Sequence, residues 1–243
     1  MSGEGPAVCV IGAGAIGLSC AVELARRGAG SVTVLEARHV AAGSSGLSVG
    51  IVETQYLDPL DIELRVRGMR VFERLEREHG LRVVRGGYLR LGHSTEARTA
   101  FARSVEIQRE QGVRDASVLD REQVGGLVPD MRVDDVWTGL LGRSDGFIDG
   151  HLYCGLLAEL AVAAGVDLRV GCELRGADPR NGGGLRLSTT AGELDCEVVV
   201  DAAGPWAGRV AGLLGCELDL IPQRHQACGG SDHQDQHVPR TCS

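Results

Sequence analysis

Two short apolar strand patterns, a glycine-rich turn opening a helix between them, and a late valine run ending in small residues together predict an α/β fold with a parallel, nucleotide-binding sheet. Ala7–Ile11 reads Ala-Val-Cys-Val-Ile, the uninterrupted β-branched run expected of a strand buried on both faces. It ends in Gly12-x-Gly14-x-x-Gly17. Residues 15–27 then place Ile16, Cys20, Val22 and Leu24 at helical spacing up to Gly28, a helix terminator. A second strand, 31–35, ends in Glu36. Each part has a mechanical reason: Gly12 makes the tight turn, Gly14 lets a pyrophosphate approach the backbone, Gly17 lets helix pack on strand, and the helix N-terminus faces the phosphates. Glu36 stands where an acid accepts hydrogen bonds from ribose hydroxyls. In a chain with 36 glycines the turn alone is a weak signal, and it is the order strand, turn, helix, strand, acid that carries the reading. The fingerprint does not separate NAD from FAD. Arg38, just past the acid, fits either a 2′-phosphate partner or a solvated surface residue.

The later elements follow in order. The small-residue loop Ala42-Gly43-Ser44-Ser45-Gly46-Leu47-Ser48-Val49-Gly50 offers backbone N–H groups and hydroxyls to a ligand. Asp58-Pro59 is an N-cap followed by a first-turn proline, and Leu64, Met69, Phe72 and Leu75 give one apolar face up to Gly80. From Leu81 to about Asp135 the pattern changes to short strands (82–84, 88–91) and a polar helix over 94–111, the character of an inserted α+β domain. An apolar helix is expected over 150–164, through Leu152, Leu156, Leu157, Leu160 and Val162, then a strand at Asp167–Val170 and a hairpin across 181–184. Val198-Val199-Val200-Asp201-Ala202-Ala203-Gly204-Pro205-Trp206 is a buried strand ending in small residues and a turn. After Gln226 the apolar periodicity stops. His233, Asp235 and His237 in that tail read as incidental, and no metal site is expected.

Composition narrows the function classes. The chain has 243 residues, 43% hydrophobic, 24% charged and 3% aromatic, which suits one or two globular domains. All 25 basic residues are Arg, so chemistry that needs a lysine, such as a Schiff base or a P-loop, is excluded. A net charge of -8 with no basic stripe argues against a nucleic-acid partner. The eight cysteines include no C-x-x-C spacing and read as free thiols. The polar leader 1–6 does not read as a signal peptide, and no apolar run approaches the roughly 18 residues that span a bilayer. A soluble, cytoplasmic protein is expected, and none of these patterns encodes an oligomeric state.

With these residues identified, the sequence resembles the FAD-dependent amine and amino-acid oxidoreductases of the D-amino-acid oxidase family, which includes glycine oxidase and the sarcosine oxidases and dehydrogenases. The matching segments are Val8-Cys9-Val10-Ile11-Gly12-Ala13-Gly14-Ala15-Ile16-Gly17, the loop 43–50 after Glu36, Asp145-Gly146-Phe147-Ile148-Asp149 before a helix, Asp201-Ala202-Ala203-Gly204-Pro205-Trp206 and Pro222-Gln223-Arg224-His225-Gln226. Their order and spacing match over about residues 7–226. The resemblance implies FAD as cofactor, with Gly12, Gly14, Ala15, Ile16 and Gly17 at the pyrophosphate and Glu36, followed by Ala37, at the adenosine ribose. It places Ser44, Ser45, Ser48, Val49 and Gly50 along the flavin half and Leu174 at the adenine through its backbone, with Ala203 and Gly204 closing the site. Glu53 occupies a place where some sarcosine oxidases carry a basic residue, and reads either as a neighbour of the flavin or as a surface acid.

The implied fold is a Rossmann-like FAD-binding domain with an inserted, incomplete α+β substrate domain. Its parts are residues 1–80 and 145–220 for the cofactor domain, 81–144 and 221–227 for the substrate domain, and a polar tail at 228–243. The implied reaction oxidises the C–N bond of an amino acid or N-methylated amine of the sarcosine or glycine type, by hydride transfer to flavin, giving an imine that water hydrolyses. The partner is then a small amine or amino acid. No triad is required, none is present, and no catalytic residue is assigned; Arg224 and His225 read as structural residues of a returning strand. The family continues where this sequence changes character, so the chain reads as truncated or frame-shifted near Ala227 and inactive if the missing part is essential. An NAD(P)-linked dehydrogenase and a non-enzymatic nucleotide-binding remnant stand as alternatives.

Overall fold

The computed structural model describes residues 5–224. His225, Gln226, the boundary near Ala227 and the tail with His233, Asp235 and His237 lie outside the described residues, as do Cys228 and Cys242.

The organising unit is a parallel sheet of β1 (Ala7–Ile11), β2 (Ser31–Glu36), β9 (Asp167–Val170) and β13 (Val198–Asp201), in the order β13-β1-β2-β9. Alternation along β1 sends its side chains into two different cores. Val8 and Val10 pack with α1 (Ala15–Arg26) and α6 (Gly150–Ala163), around Leu18, Val34 and Leu157. Cys9 and Ile11 pack on the opposite face with Leu187, Cys196 and Val210. That second cover is the antiparallel meander β10 (Leu174–Pro179), β11 (Leu185–Thr189) and β12 (Gly192–Cys196), together with α7 (Ala207–Leu213). Cover on both faces is why β1 reads as a continuous apolar run rather than an alternating one.

Local chemistry sets the element ends. The Asp58 carboxylate accepts from the N–H groups of Leu60 at 2.9 Å and Asp61 at 3.3 Å, starting α3 (Pro59–His79), which stops at left-handed Gly80. The buried face of α3 is Ile62, Val66, Met69 and Leu75, whereas Leu64, expected inside, is 58% exposed. In α6, Cys154, Leu157 and Ala161 are buried while Leu152 and Val162 are exposed. Both helices carry more apolar residues than one face holds, so the pattern left the rotation of each helix open.

Between β2 and α6 the chain also forms two small antiparallel sheets. One is β3 (Ile51–Val52), β8 (Gly146–Ile148) and β4 (Val83–Val84); the other is β5 (Tyr88–Gly92), β7 (Thr138–Gly142) and β6 (Ala116–Leu119). Two helices accompany the second sheet: α4 (Thr95–Glu110), capped by the Ser94 hydroxyl, and α5 (Arg121–Leu127), opened by a capping box between Asp120 and Gln123. The small-residue loop contains a single helical turn, α2 (Ser44–Leu47), which the sequence reading missed. The expected hairpin joins β10 to β11. The returning strand is not found over its described residues, since 216–224 have no regular structure. Among the described residues, no helix is long and apolar enough to cross a membrane.

Candidate functional site

The carboxyl ends of β1, β2 and β13 open into a groove of about 460 Å³. Gly12 enters its turn at φ +108°, and an added Cβ there would meet the Ala202 carbonyl oxygen at 2.5 Å. Gly17 sits one helical turn on, where a Cβ would lie 1.9 Å from the Gly12 oxygen, so α1 packs directly on the turn. These two contacts leave room for nothing larger than glycine. The Gly14 backbone faces the groove instead, with the Ser45 hydroxyl 3.1 Å from the position a Cβ would take.

Two polar side chains converge at the start of α1. Ser45 Oγ accepts from the Ala15 N–H at 3.0 Å, supplying a cap that Gly14 cannot provide. Glu36 Oε2 accepts from the Ala13 N–H at 2.9 Å, and Oε1 accepts from the Arg38 N–H at 2.8 Å. A carboxylate has further lone pairs, so two ribose hydroxyls can still donate to it. The helix start adds N–H groups without intrahelical partners and the positive end of the helix dipole, both suited to a diphosphate. A glycine turn that admits a backbone-hugging ligand, a helix start and an acid at the strand end therefore fit a dinucleotide.

Of the residues chosen from the sequence, Gly12, Gly14, Ala15, Ile16, Glu36, Ala37, Ser44, Ser45, Leu174, Ala203 and Gly204 line this groove. Ser48 and Gly50 line a neighbouring pocket of about 330 Å³, which shares Ala15 and Ser45 with the groove. Gly17 and Val49 line neither; Gly17 lies beneath the turn and Val49 is exposed. Arg38 lines the groove with its guanidinium turned to the Ala42 carbonyl, 2.8 Å away, and to Trp206.

Glu53 is not a surface acid. It is 6% exposed, sits 3.1 Å from Arg65 Nη1 and 3.9 Å from Arg90 Nη2, and borders the second pocket together with Arg65. The Arg65 guanidinium lies 3.5 Å over the Tyr56 ring, and Arg90 reaches the same ring. Next to this cluster Asp145, 1% exposed, accepts from the Thr54 N–H at 3.2 Å and from Gln55 Nε2 at 2.9 Å. Burial pushes its carboxyl up to about 6, with Glu53 adding to the rise, while the Gln55 and Thr54 hydrogen bonds act against it. Tyr56, Arg65, Arg90 and Trp206 were not picked from the sequence as site residues. The available signals were Trp206, at the end of the small-residue strand, and Tyr56, close after the serine loop in a chain with few aromatics.

The buried cysteines belong to packing. Burial, with Cys196 and Cys172 nearby, pushes the Cys9 thiol up to about 12, so it stays protonated and unreactive. Among the described residues, no group of three or more His, Cys, Asp or Glu side chains is arranged to hold a metal ion.

Comparison with known proteins gives a consistent picture. Residues 7–238 match the family described as DAO, FAD dependent oxidoreductase. The chain is 29% identical over 221 residues to dimethylglycine dehydrogenase, mitochondrial, of Rattus norvegicus, a match covering 89% of this chain and 25% of that protein. It is 30% identical over 220 residues to sarcosine oxidase subunit beta of Rhizobium meliloti (strain 1021), covering 88% of this chain and 53% of that one. Among solved structures, L-proline dehydrogenase from P. horikoshii superimposes with a TM-score of 0.78 at 27% identity, covering 88% of this chain and 56% of that chain. Glycine oxidase from Geobacillus kaustophilus gives 0.70 at 25% identity, covering 86% and 58%. The chain thus spans between 25% and 58% of the length of these relatives.

Proposed function

The chain belongs to the DAO family of FAD-dependent oxidoreductases, and from that premise we propose that its groove holds the ADP half of FAD and that the protein oxidises the C–N bond of an amino acid or N-methylated amino acid. The observation that carries this reading is the convergence of the glycine turn, Glu36 and Ser45 at the start of α1. The second pocket adjoins the groove, with Ala15 and Ser45 lining both, which supports a ligand longer than ADP alone. Bound FAD supplies the two-electron acceptor for conversion of an amine to an imine, which water hydrolyses.

The protein's own residues hold and orient. The turn at Gly12 and Gly14 and the helix start receive the diphosphate, Glu36 accepts from the ribose, and Ser45 ties the loop to the helix. Ser44, Ser48, Val49 and Gly50 are proposed along the flavin half, and Ala37, Leu174, Ala203 and Gly204 around the adenosine. Arg65, paired with the buried Glu53, borders the second pocket and offers a guanidinium to an anionic amino-acid substrate there. The names of the matched relatives point the same way: dimethylglycine, sarcosine, proline and glycine are all amino acids or their N-methyl derivatives. The proposed domain division is 1–80 with 145–220 for the cofactor and 81–144 with 221–227 for the substrate. The proposed setting is cytoplasmic, where the six described cysteines, all free, remain thiols.

The test is an absorption spectrum of the purified chain before and after denaturation, with mass analysis of the released cofactor. Equimolar FAD is expected. Turnover is then measured separately, with sarcosine, dimethylglycine, glycine and proline and a dye as electron acceptor. Copurified NAD(P) would replace this reading with a nicotinamide dehydrogenase, and a chain with no affinity for either cofactor would leave a non-enzymatic remnant.

A further inference from the structure

Two side chains outside the fingerprint meet across the groove from opposite walls. Arg38 follows the end of β2, and Trp206 closes the short 3-10 turn Gly204–Trp206 that follows β13. The guanidinium carbon stands 5.6 Å from the centre of the indole ring, within cation–π reach. Both partners are braced by one segment, the adjacent residues Ala42 and Gly43 that follow Arg38 in the chain. Arg38 Nη2 donates to the Ala42 carbonyl at 2.8 Å. The indole edge lies against Gly43, where an added Cβ would come within 3.3 Å of the ring. Both residues line the groove, yet Trp206 is 49% exposed, so a large apolar ring is held open to solvent at the mouth of a ligand site. Among the described residues the partners of the Arg38 guanidinium are a carbonyl and a ring face, both neutral, which leaves its charge available to an anion. Arg209, also in the groove, is by contrast paired with the Glu173 carboxylate at 3.1 Å.

We propose that Arg38 and Trp206 form a clasp over the ADP half of the bound cofactor: the pair parts to admit it and closes across it, the guanidinium facing the diphosphate and the indole shielding the ribose-phosphate from water. This rests on the FAD-binding reading above. The clasp sets how long the cofactor stays bound and takes no part in the chemistry.

The chain has two tryptophans, so Trp137→Phe leaves Trp206 as the only indole reporter. In that full-length background, the Trp206 emission is followed during titration with FAD and with ADP. FAD release is then timed on dilution into excess ADP, for the parent, Arg38→Gln, Trp206→Ala and the double variant. Trp206 emission is expected to saturate at one equivalent of either ligand, and each single substitution is expected to speed FAD release about tenfold. The double variant should speed release by clearly less than the product of the two single effects, because the side chains hold each other in place. Trp206→Phe keeps a ring and should recover most of the loss, which preserves the test if Trp206→Ala fails to fold. A parent that holds FAD while Trp206 emission stays constant, or variants that release FAD at the parent rate, would overturn the clasp. Single effects that multiply to about a hundredfold would overturn it too, since they would make the two residues independent. A parent that binds neither FAD nor ADP would instead sink the cofactor reading, and the clasp with it.

Discussion

Around β1 the chain buries hydrocarbon: Val8, Val10, Leu18, Val34 and Leu157 on one face, Ile11, Leu187 and Val210 on the other. Just beyond the serine loop it buries polar groups, with Glu53, Thr54 and Gln55 inside and Asp145, Ser104 and Gln108 as their neighbours. The first region is held by non-directional burial and by two close glycine contacts. The second depends on donors and acceptors meeting in pairs, where one lost partner leaves another group unsatisfied. The apolar region is a floor beneath the groove, and the polar region is a charged wall beside the second pocket.

The largest expected effect breaks the floor. Gly17→Val drives a side chain into the Gly12 oxygen, and a loss above about 4 kcal/mol, with no FAD retained, is expected in urea unfolding. Leu18→Ala in the same core removes a fully buried side chain and should cost about 3 kcal/mol, while the groove keeps its shape and its ligand. In the polar wall, Glu53→Gln leaves Arg65 and Arg90 without their counter-charge. Both arginines are partly exposed, so the expected cost is about 1–2 kcal/mol, seen in the same unfolding experiment.

The last effect is a slope with pH. Asp145 titrates near 3.8 when unfolded and at about 6 when folded, so the folded state binds its proton more tightly. Its favourable contribution is complete below the unfolded value and is lost as pH rises through about 6. Asp145→Asn removes that dependence: denaturant midpoints measured from pH 4 to pH 7 should move in favour of the variant relative to wild type as pH rises. A constant difference across the range would show that the carboxylate is solvated or fully compensated.

The same contrast explains what could be read from the sequence. Strand β1, the glycine turn, α1 and the acid at the end of β2 are encoded by neighbours in the chain, and so are the Asp58 cap with Pro59 and the hairpin at 181–184. Burial of Glu53 is not local. Its partners Arg65 and Arg90 come from α3 and β5, and only packing brings them together, so a surface acid was an equally good reading. The rotations of α3 and α6 stayed ambiguous because Leu64, Leu152 and Val162 add apolar residues outside the buried stripe. The α2 turn is built from Ser and Gly with no apolar period to reveal it. Trp206 was legible as part of the small-residue strand end, but its contact with Arg38 crosses the groove between distant segments and leaves no periodic trace.

The central claim is that the groove at the start of α1 recognises the ADP half of FAD. Its most direct test is an equilibrium titration of the cofactor-free chain with FAD, ADP and FMN, followed by calorimetry. The account predicts saturation by FAD at one equivalent, competition by ADP, and binding of FMN weaker by at least about a hundredfold, because FMN lacks the adenosine and the second phosphate that Glu36 and the helix start receive. FMN binding as tight as FAD, or FAD binding that ADP does not displace, would contradict it.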